Sequence, residues 1–143
     1  MHNIHVWVPD LFSTTGGIQA FSQRFIEALT CQPLSTGIRI TVKNDLVKDI
    51  PVDTSYRIKV CGQRASYLRT QYFAWQCLQD VWRERPRLII STHLHFGPLA
   101  KLAQRLFGVP YVLVAHGIDE WRMNNEPRRK ALLDANLVLA VSR

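Results

Sequence analysis

A chain of 143 residues that is 47% hydrophobic and 20% charged has the make-up of one soluble globular domain with room for a real core. No apolar run approaches the roughly 18 residues of a membrane span, and Met1-His2-Asn3-Ile4 lacks the positive leader and long apolar stretch of a secretory signal. The expected location is therefore cytoplasmic, with a membrane-peripheral one left open. The formal charge of +7 favours an anionic partner, whether phosphate, nucleic acid or acidic lipid, although solvated helix faces account for it equally well.

Along the chain, strand and helix patterns alternate. Ile4–Val8 is a short apolar strand. From Gly17 to Cys31, the apolar residues Ile18, Phe21, Phe25 and Leu29 step by three or four, which puts them on one helical stripe. Gly37–Val42 alternates as a strand with one exposed face. Asn44–Ser55 is polar, contains Pro51 and reads as loop. Tyr56–Val60 is a third strand. A longer helix spans Ala65–Arg85, with Leu68, Trp75, Leu78, Val81 and Trp82 as its expected inner face and Pro86 as its stop. Leu88-Ile89-Ile90 is a strand. Gly97–Phe107 is a helix with Leu99, Leu102, Ala103 and Leu106 expected inward and Gly108 as its C-terminal cap. Val109–Val114 is a strand, Glu126–Ala135 a short helix with Pro127 in its first turn, and Leu137–Val141 the last strand.

Strands joined by helices predict an α/β fold, a Rossmann-like doubly wound parallel sheet with helices on both faces. Such sheets place ligands beyond the carboxyl ends of their strands, so the exits from the strands are where function is sought. The chain stops at Ser142-Arg143, at the tip of a strand, which reads as half of a larger architecture.

Three exits carry suitable chemistry. Thr14-Thr15-Gly16-Gly17 opens the first helix, where unpaired N–H groups attract anions and glycines admit a ligand close to the backbone. The GxGxxG spacing of dinucleotide binders is absent, and a plain tight turn capped by Thr15 or Gly16 explains the same residues. In Ser91-Thr92-His93-Leu94-His95-Phe96-Gly97 two alternating histidines lack any further ligand cluster, so a hydrogen bond from His93 or His95 to a hydroxyl or phosphate is a better reading than a metal pair, and a loop histidine with no ligand accounts for the residues equally well. Ala115-His116-Gly117-Ile118-Asp119-Glu120-Trp121 is the most informative stretch. It brings a titratable imidazole, a glycine able to turn the backbone sharply past a ligand, and two carboxylates able to accept sugar hydroxyls. A satisfied rim histidine with a surface acidic pair is the rival explanation, and Trp121 packs under the loop or stacks on a ring.

No nucleophile elbow or Walker lysine is present. Cys31, Cys61 and Cys77 match no metal spacing and read as buried free thiols of a reducing compartment. The basic residues lack the aromatic and glycine pattern of a nucleic-acid module, so no nucleic-acid partner is expected.

Taken in order, the Gly16-Gly17 helix start, Arg87-Leu88-Ile89-Ile90-Ser91-Thr92-His93, Gly97-Pro98-Leu99-Ala100, Phe107-Gly108-Val109-Pro110, Ala115-His116-Gly117-Ile118-Asp119-Glu120-Trp121 and Ala135-Asn136-Leu137-Val138-Leu139-Ala140-Val141-Ser142-Arg143 cover essentially the whole chain. That series resembles the N-terminal domain of family 4 (group 1) glycosyltransferases of the GT-B fold. The resemblance implies the acceptor-side half of a two-domain, retaining glycosyltransferase of hexosyl type, with the C-terminal donor-binding domain missing from this chain and the chain by itself inactive. A nucleotide-sugar is then the donor substrate, a glycan, lipid or small molecule the acceptor, and no metal or other cofactor is needed. His116 corresponds to the catalytic histidine that reaches the transferred sugar. Thr15, Gly16 and Gly17 approach the donor phosphate and the reacting sugar. His93, His95, Gly117, Asp119 and Glu120 fall where acceptor or sugar is bound. Some members of the group dock on anionic membranes, which would suit the positive charge. The alternative from a different class is a non-catalytic anion-binding or interaction module of flavodoxin-like topology.

Overall fold

A computed structural model describes residues 3–32, 37–52, 56–117 and 124–141. Six strands form one sheet: β1 (Ile4–Val8), β2 (Ile38–Val42), β3 (Arg57–Val60), β4 (Leu88–Ser91), β5 (Tyr111–His116) and β6 (Leu137–Val141), in the order β3-β2-β1-β4-β5-β6. Every pairing is parallel. Among the described residues the α-helices seen from end to end are α1 (Gly17–Thr30), α2 (Ser66–Glu84), α3 (Gly97–Phe107) and α4 (Glu126–Leu133). This is the Rossmann-like doubly wound sheet expected from the alternation of elements. The order is that of dinucleotide-binding folds and not the flavodoxin-like 2-1-3-4-5, so the topology attached to the alternative module is corrected. The order reverses between β1 and β4, which makes their carboxyl ends the natural mouth of a binding crevice.

The sheet separates two apolar layers. Val6, Val8, Ile40, Val42, Ile90 and Val112 pack with Ile26 of α1 on one face. On the other, Trp7, Ile89, Tyr111, Leu113 and Ala115 pack with Phe73, Cys77 and Val81 of α2 and with Ala100 and Ala103 of α3. Burying each large side chain contributes roughly 1.5–3 kcal/mol.

Helix boundaries fall within a residue or two of those expected, but three buried faces differ. In α1 the fully buried positions are Ser22 and Ile26; Phe25 and Leu29 pack at the margin, and Ile18 and Phe21 stay half-exposed toward the carboxyl edge. In α2, Leu68, Trp75 and Trp82 point to solvent at 50%, 61% and 58% exposure. The reason lies in the sheet. His5, Arg39 and Lys59 project from β1, β2 and β3 under α2, so a polar stripe of the helix turns inward to meet them. Lys59 Nζ lies 2.7 Å from Asp80 and 3.0 Å from Gln76 Oε1; Arg39 pairs with Glu84 and Asp80; His5 Nε2 lies 2.9 Å from Glu84. Gln76, Asp80 and Glu84 step by four, which is one helical line. Ion pairing thus sets the rotation of α2, and its tryptophans are left outside.

In α3 the small residues face inward. Ala100 and Ala103 are fully buried, while Leu102 and Leu106 are exposed. The helix approaches so closely that a Cβ at Gly97 would lie 3.1 Å from Ala131 Cβ and 3.3 Å from a Leu113 methyl. Gly108 is the left-handed cap, with φ 70 and its N–H bonded to Gln104 O at 2.8 Å. Among the cysteines, Cys61 and Cys77 are buried free thiols, whereas Cys31 at the end of α1 is exposed, contrary to expectation. Burial pushes the Cys61 thiol up to about 11.

Candidate functional site

Because all strands run in parallel, the segments leaving β2, β1, β4 and β5 lie side by side along one edge. From β1 come Pro9 and Asp10 and then the Thr15-Gly16-Gly17 entry to α1. From β2 come Lys43 and Asn44, and from β4 come His93 and His95. His116 ends β5.

The loop after β1 is held by a buried carboxylate that the sequence did not single out. Asp45, fully buried, accepts from the N–H groups of Leu11 (3.1 Å), Phe12 (2.8 Å) and Ser13 (3.3 Å) and from the Ser13 hydroxyl (2.7 Å). Four donors converging on one side chain pin residues 11–13 just ahead of α1. Gln23 of α1 adds a bond to Leu11 O at 2.6 Å. The backbone of Asn44 and Asp45 is in turn pressed against Gly62, where a Cβ would collide with both carbonyl oxygens. Arg69 closes the assembly, donating to Gly62 O at 3.0 Å and to Asn44 Oδ1 at 3.4 Å. The available signal for Asp45 was its place just beyond a strand that ends at the binding edge.

Gly16 is the N-cap of α1, extended at φ −178, with no side-chain cap; neither Thr15 nor any acidic residue closes the first turn. The N–H groups there are available to an anion. A Cβ at Gly16 would meet only the flexible end of Gln19, so sterics alone do not require glycine at that position.

His116 is half-buried. Its Nε2 lies 3.0 Å from Thr92 O, and since a carbonyl only accepts, Nε2 carries the proton. Nδ1 is left as the acceptor, and nothing among the described residues bonds to it. The ring meets Phe21 of α1 edge-on at 5.4 Å between centroids, which ties β5 to the first turns of α1. Thr92 is itself fixed by its N–H to Trp7 O at 3.0 Å. His93 carries its proton on Nε2 as well, since its Nδ1 accepts from the His95 N–H at 3.2 Å. The His93 ring lies 4.1 Å from that of His95 and 6.3 Å from that of His116. His116 Nδ1 is thus an acceptor at the rim, the kind of atom that can hold and deprotonate a hydroxyl.

Beside these rings lies a cleft of about 250 Å³ lined by Pro9, Asp10, Ile18, Gln19, Lys43, Asn44, His93, His95 and Phe96. Asp10, Lys43 and Asn44 were not singled out from the sequence; they become neighbours of the histidines only through the sheet order. Gly117 is exposed, its φ lies outside the left-handed region, and the strand ends just before it. Asp119, Glu120 and Trp121 lie outside the described residues. No cluster of three or more metal-ligating side chains occurs among the described residues.

Among solved structures the chain is similar to the lipopolysaccharide outer core galactosyltransferase WaaB in its apo form. The TM-score is 0.63 at 13% sequence identity, over 98% of this chain and 39% of that one. The likeness is one of fold, and this chain spans well under half the length of the enzyme it matches. No protein-family model matches the sequence, and no curated protein matches it either.

Proposed function

We propose that this chain is the acceptor-side domain of a retaining, hexosyl-type glycosyltransferase of the GT-B group, family 4, working in the cytoplasm on a nucleotide-sugar donor. The observation that carries the reading is the meeting of the uncapped start of α1, the His93–His95 pair and His116 at one edge of a Rossmann-like sheet, in a chain whose fold follows a galactosyltransferase over nearly its whole length. The donor-holding unit would be supplied by sequence beyond these residues.

The chemistry suits this arrangement. Transfer needs a departing diphosphate stabilised, an acceptor hydroxyl held, and water kept out. The N–H groups near Gly16 and Gly17, with Thr15, serve the phosphate. His116 Nδ1 reaches the reacting sugar, while His93 and His95 orient the acceptor, with Gly117, Asp119 and Glu120 completing the sugar contacts. Nothing in this scheme calls for a metal. Nucleoside diphosphate release is the test, run on the complete gene product across a panel of nucleotide-sugars. Replacing His116 by Ala should lower turnover at least about 100-fold, in the range of a lost acid–base or orienting group, with little loss of fold. Normal turnover in that variant would remove His116 from the mechanism.

Peripheral contact with an anionic membrane belongs to the same proposal. Support comes from Leu68, Trp75 and Trp82, seven residues apart on the solvent face of α2, with Arg83 and Arg85 at its end and Arg105 on neighbouring α3. Interfacial tryptophans flanked by arginines suit an acidic bilayer surface.

A further inference from the structure

Two charged side chains in the cleft have no role in the scheme above. Lys43 directly follows β2, with its N–H fixed to Val8 O at 3.0 Å, and Asp10 follows β1, whose neighbour Pro9 accepts from the Asn44 N–H at 2.9 Å. The backbones that carry them are therefore held in register at the crevice mouth. Both are half-buried, both line the same cleft, and neither forms an ion pair with any described residue. A lysine and an aspartate that share a cleft without pairing are each partly stripped of water and not yet compensated. Gln19 and Asn44 beside them add amides that can donate and accept.

We propose that the cleft selects a phosphorylated sugar or polyol, with Lys43 on the phosphate and Asp10 accepting from a ring hydroxyl. As the acceptor of the transfer reaction, this ligand rests on the reading in the previous subsection; as a binding preference, it can be tested independently of that reading. The space suits about one ring with its substituent. The ammonium is a compact, strongly hydrated point charge that answers a phosphate without demanding a fixed fork geometry. The carboxylate rewards a hydroxyl donor and repels an anion, so the phosphate is directed to the β2 side and the ring to the β1 side. His93 and His95 close the opposite wall, where the reacting hydroxyl would stand near His116.

Binding to the whole chain, carrying Trp75→Ser and Trp82→Ser so that the outer face of α2 does not contribute, is measured by the shifts of backbone amides lining the cleft with three probes: glucose, glucose 6-phosphate, and vesicles of phosphatidylinositol. The expected result is a phosphate ester bound about tenfold or more tighter than glucose, the size of one charge-assisted contact. Whichever ester wins identifies a soluble or a lipid-borne source. Lys43→Met should bring the ratio close to one, Lys43→Arg should keep most of it, and Asp10→Asn should weaken sugar and sugar phosphate alike. No preference for either ester in the parent chain, or a preference that survives Lys43→Met, overturns the proposal. A preserved preference together with no nucleoside diphosphate release from any donor would instead remove the transferase reading and leave the phosphate site standing.

Discussion

Replacing Asp45 by Ala should be among the most damaging single changes in this chain. Asp45 is fully buried and gathers the N–H groups of Leu11, Phe12 and Ser13 and the Ser13 hydroxyl. Alanine leaves all four without an acceptor. Leu11 is fully buried, so its N–H cannot turn to water where it stands, at a cost of about 1–3 kcal/mol. Phe12 is half-buried and Ser13 exposed, so their orphaned donors recover part of their hydration. Adding the loss of charge-assisted bonds, the total comes to roughly 3–5 kcal/mol, a large share of the 5–15 kcal/mol usual for a domain. Asp45→Asn would be little better, because the amide nitrogen sets donor against donor. Denaturant unfolding followed by circular dichroism reads the stability, and hydrogen exchange at residues 11–13 reads the loop. An Asp45→Ala chain within about 1 kcal/mol of the parent, with unchanged protection of those amides, would refute the reasoning; so small a loss is that of one ordinary hydrogen bond.

Gly62→Ala should cost about 1–3 kcal/mol by overpacking, since the new methyl meets backbone carbonyls of Asn44 and Asp45 that cannot rotate away; a thermal melt checks it. Stability should fall on mild acidification. Burial pushes the His5 imidazole down from 6.5, and although burial pulls the Glu84 carboxyl up, His5 and Arg39 bring it below 4.5 overall. Both groups are depressed in the folded state, so the stability they contribute is complete above pH 6.5. It is lost as pH falls through the lowered His5 value and then below 4.5. Denaturant midpoints between pH 7 and 4 should fall less in His5→Gln than in the parent. Trp75→Ser with Trp82→Ser should shift the unfolding free energy by less than about 1 kcal/mol, because both indoles are more than half exposed. The same pair should weaken sedimentation with phosphatidylglycerol vesicles while leaving neutral vesicles unaffected.

Much of this architecture was legible in local pattern. Short apolar or alternating runs marked all six strands, Pro86 and Gly108 marked helix ends, and the alternation of strand and helix implied a parallel sheet. His116 and the Gly16-Gly17 entry could be placed at strand exits because parallel strands share one functional edge. The helix faces were less legible. Leu68, Trp75 and Trp82 look like an inner stripe when hydrophobicity alone is scored, yet they lie outside because Arg39, Lys59 and His5 wait beneath α2. Leu102 and Leu106 yield to Ala100 and Ala103 because α3 sits too close to α4 and β5 for larger side chains.

What the sequence determined by itself is the set of elements and the chemistry available at each strand exit, since both depend on neighbours a few residues apart. Tertiary structure alone decided which exits adjoin. Strand order joins β2, β1 and β4 across long stretches of intervening chain, and only that pairing sets Lys43 and Asp10 opposite His93. It also decided that Asp45 reaches far back along the chain to hold the loop before α1, because a buried carboxylate is satisfied wherever folding delivers donors.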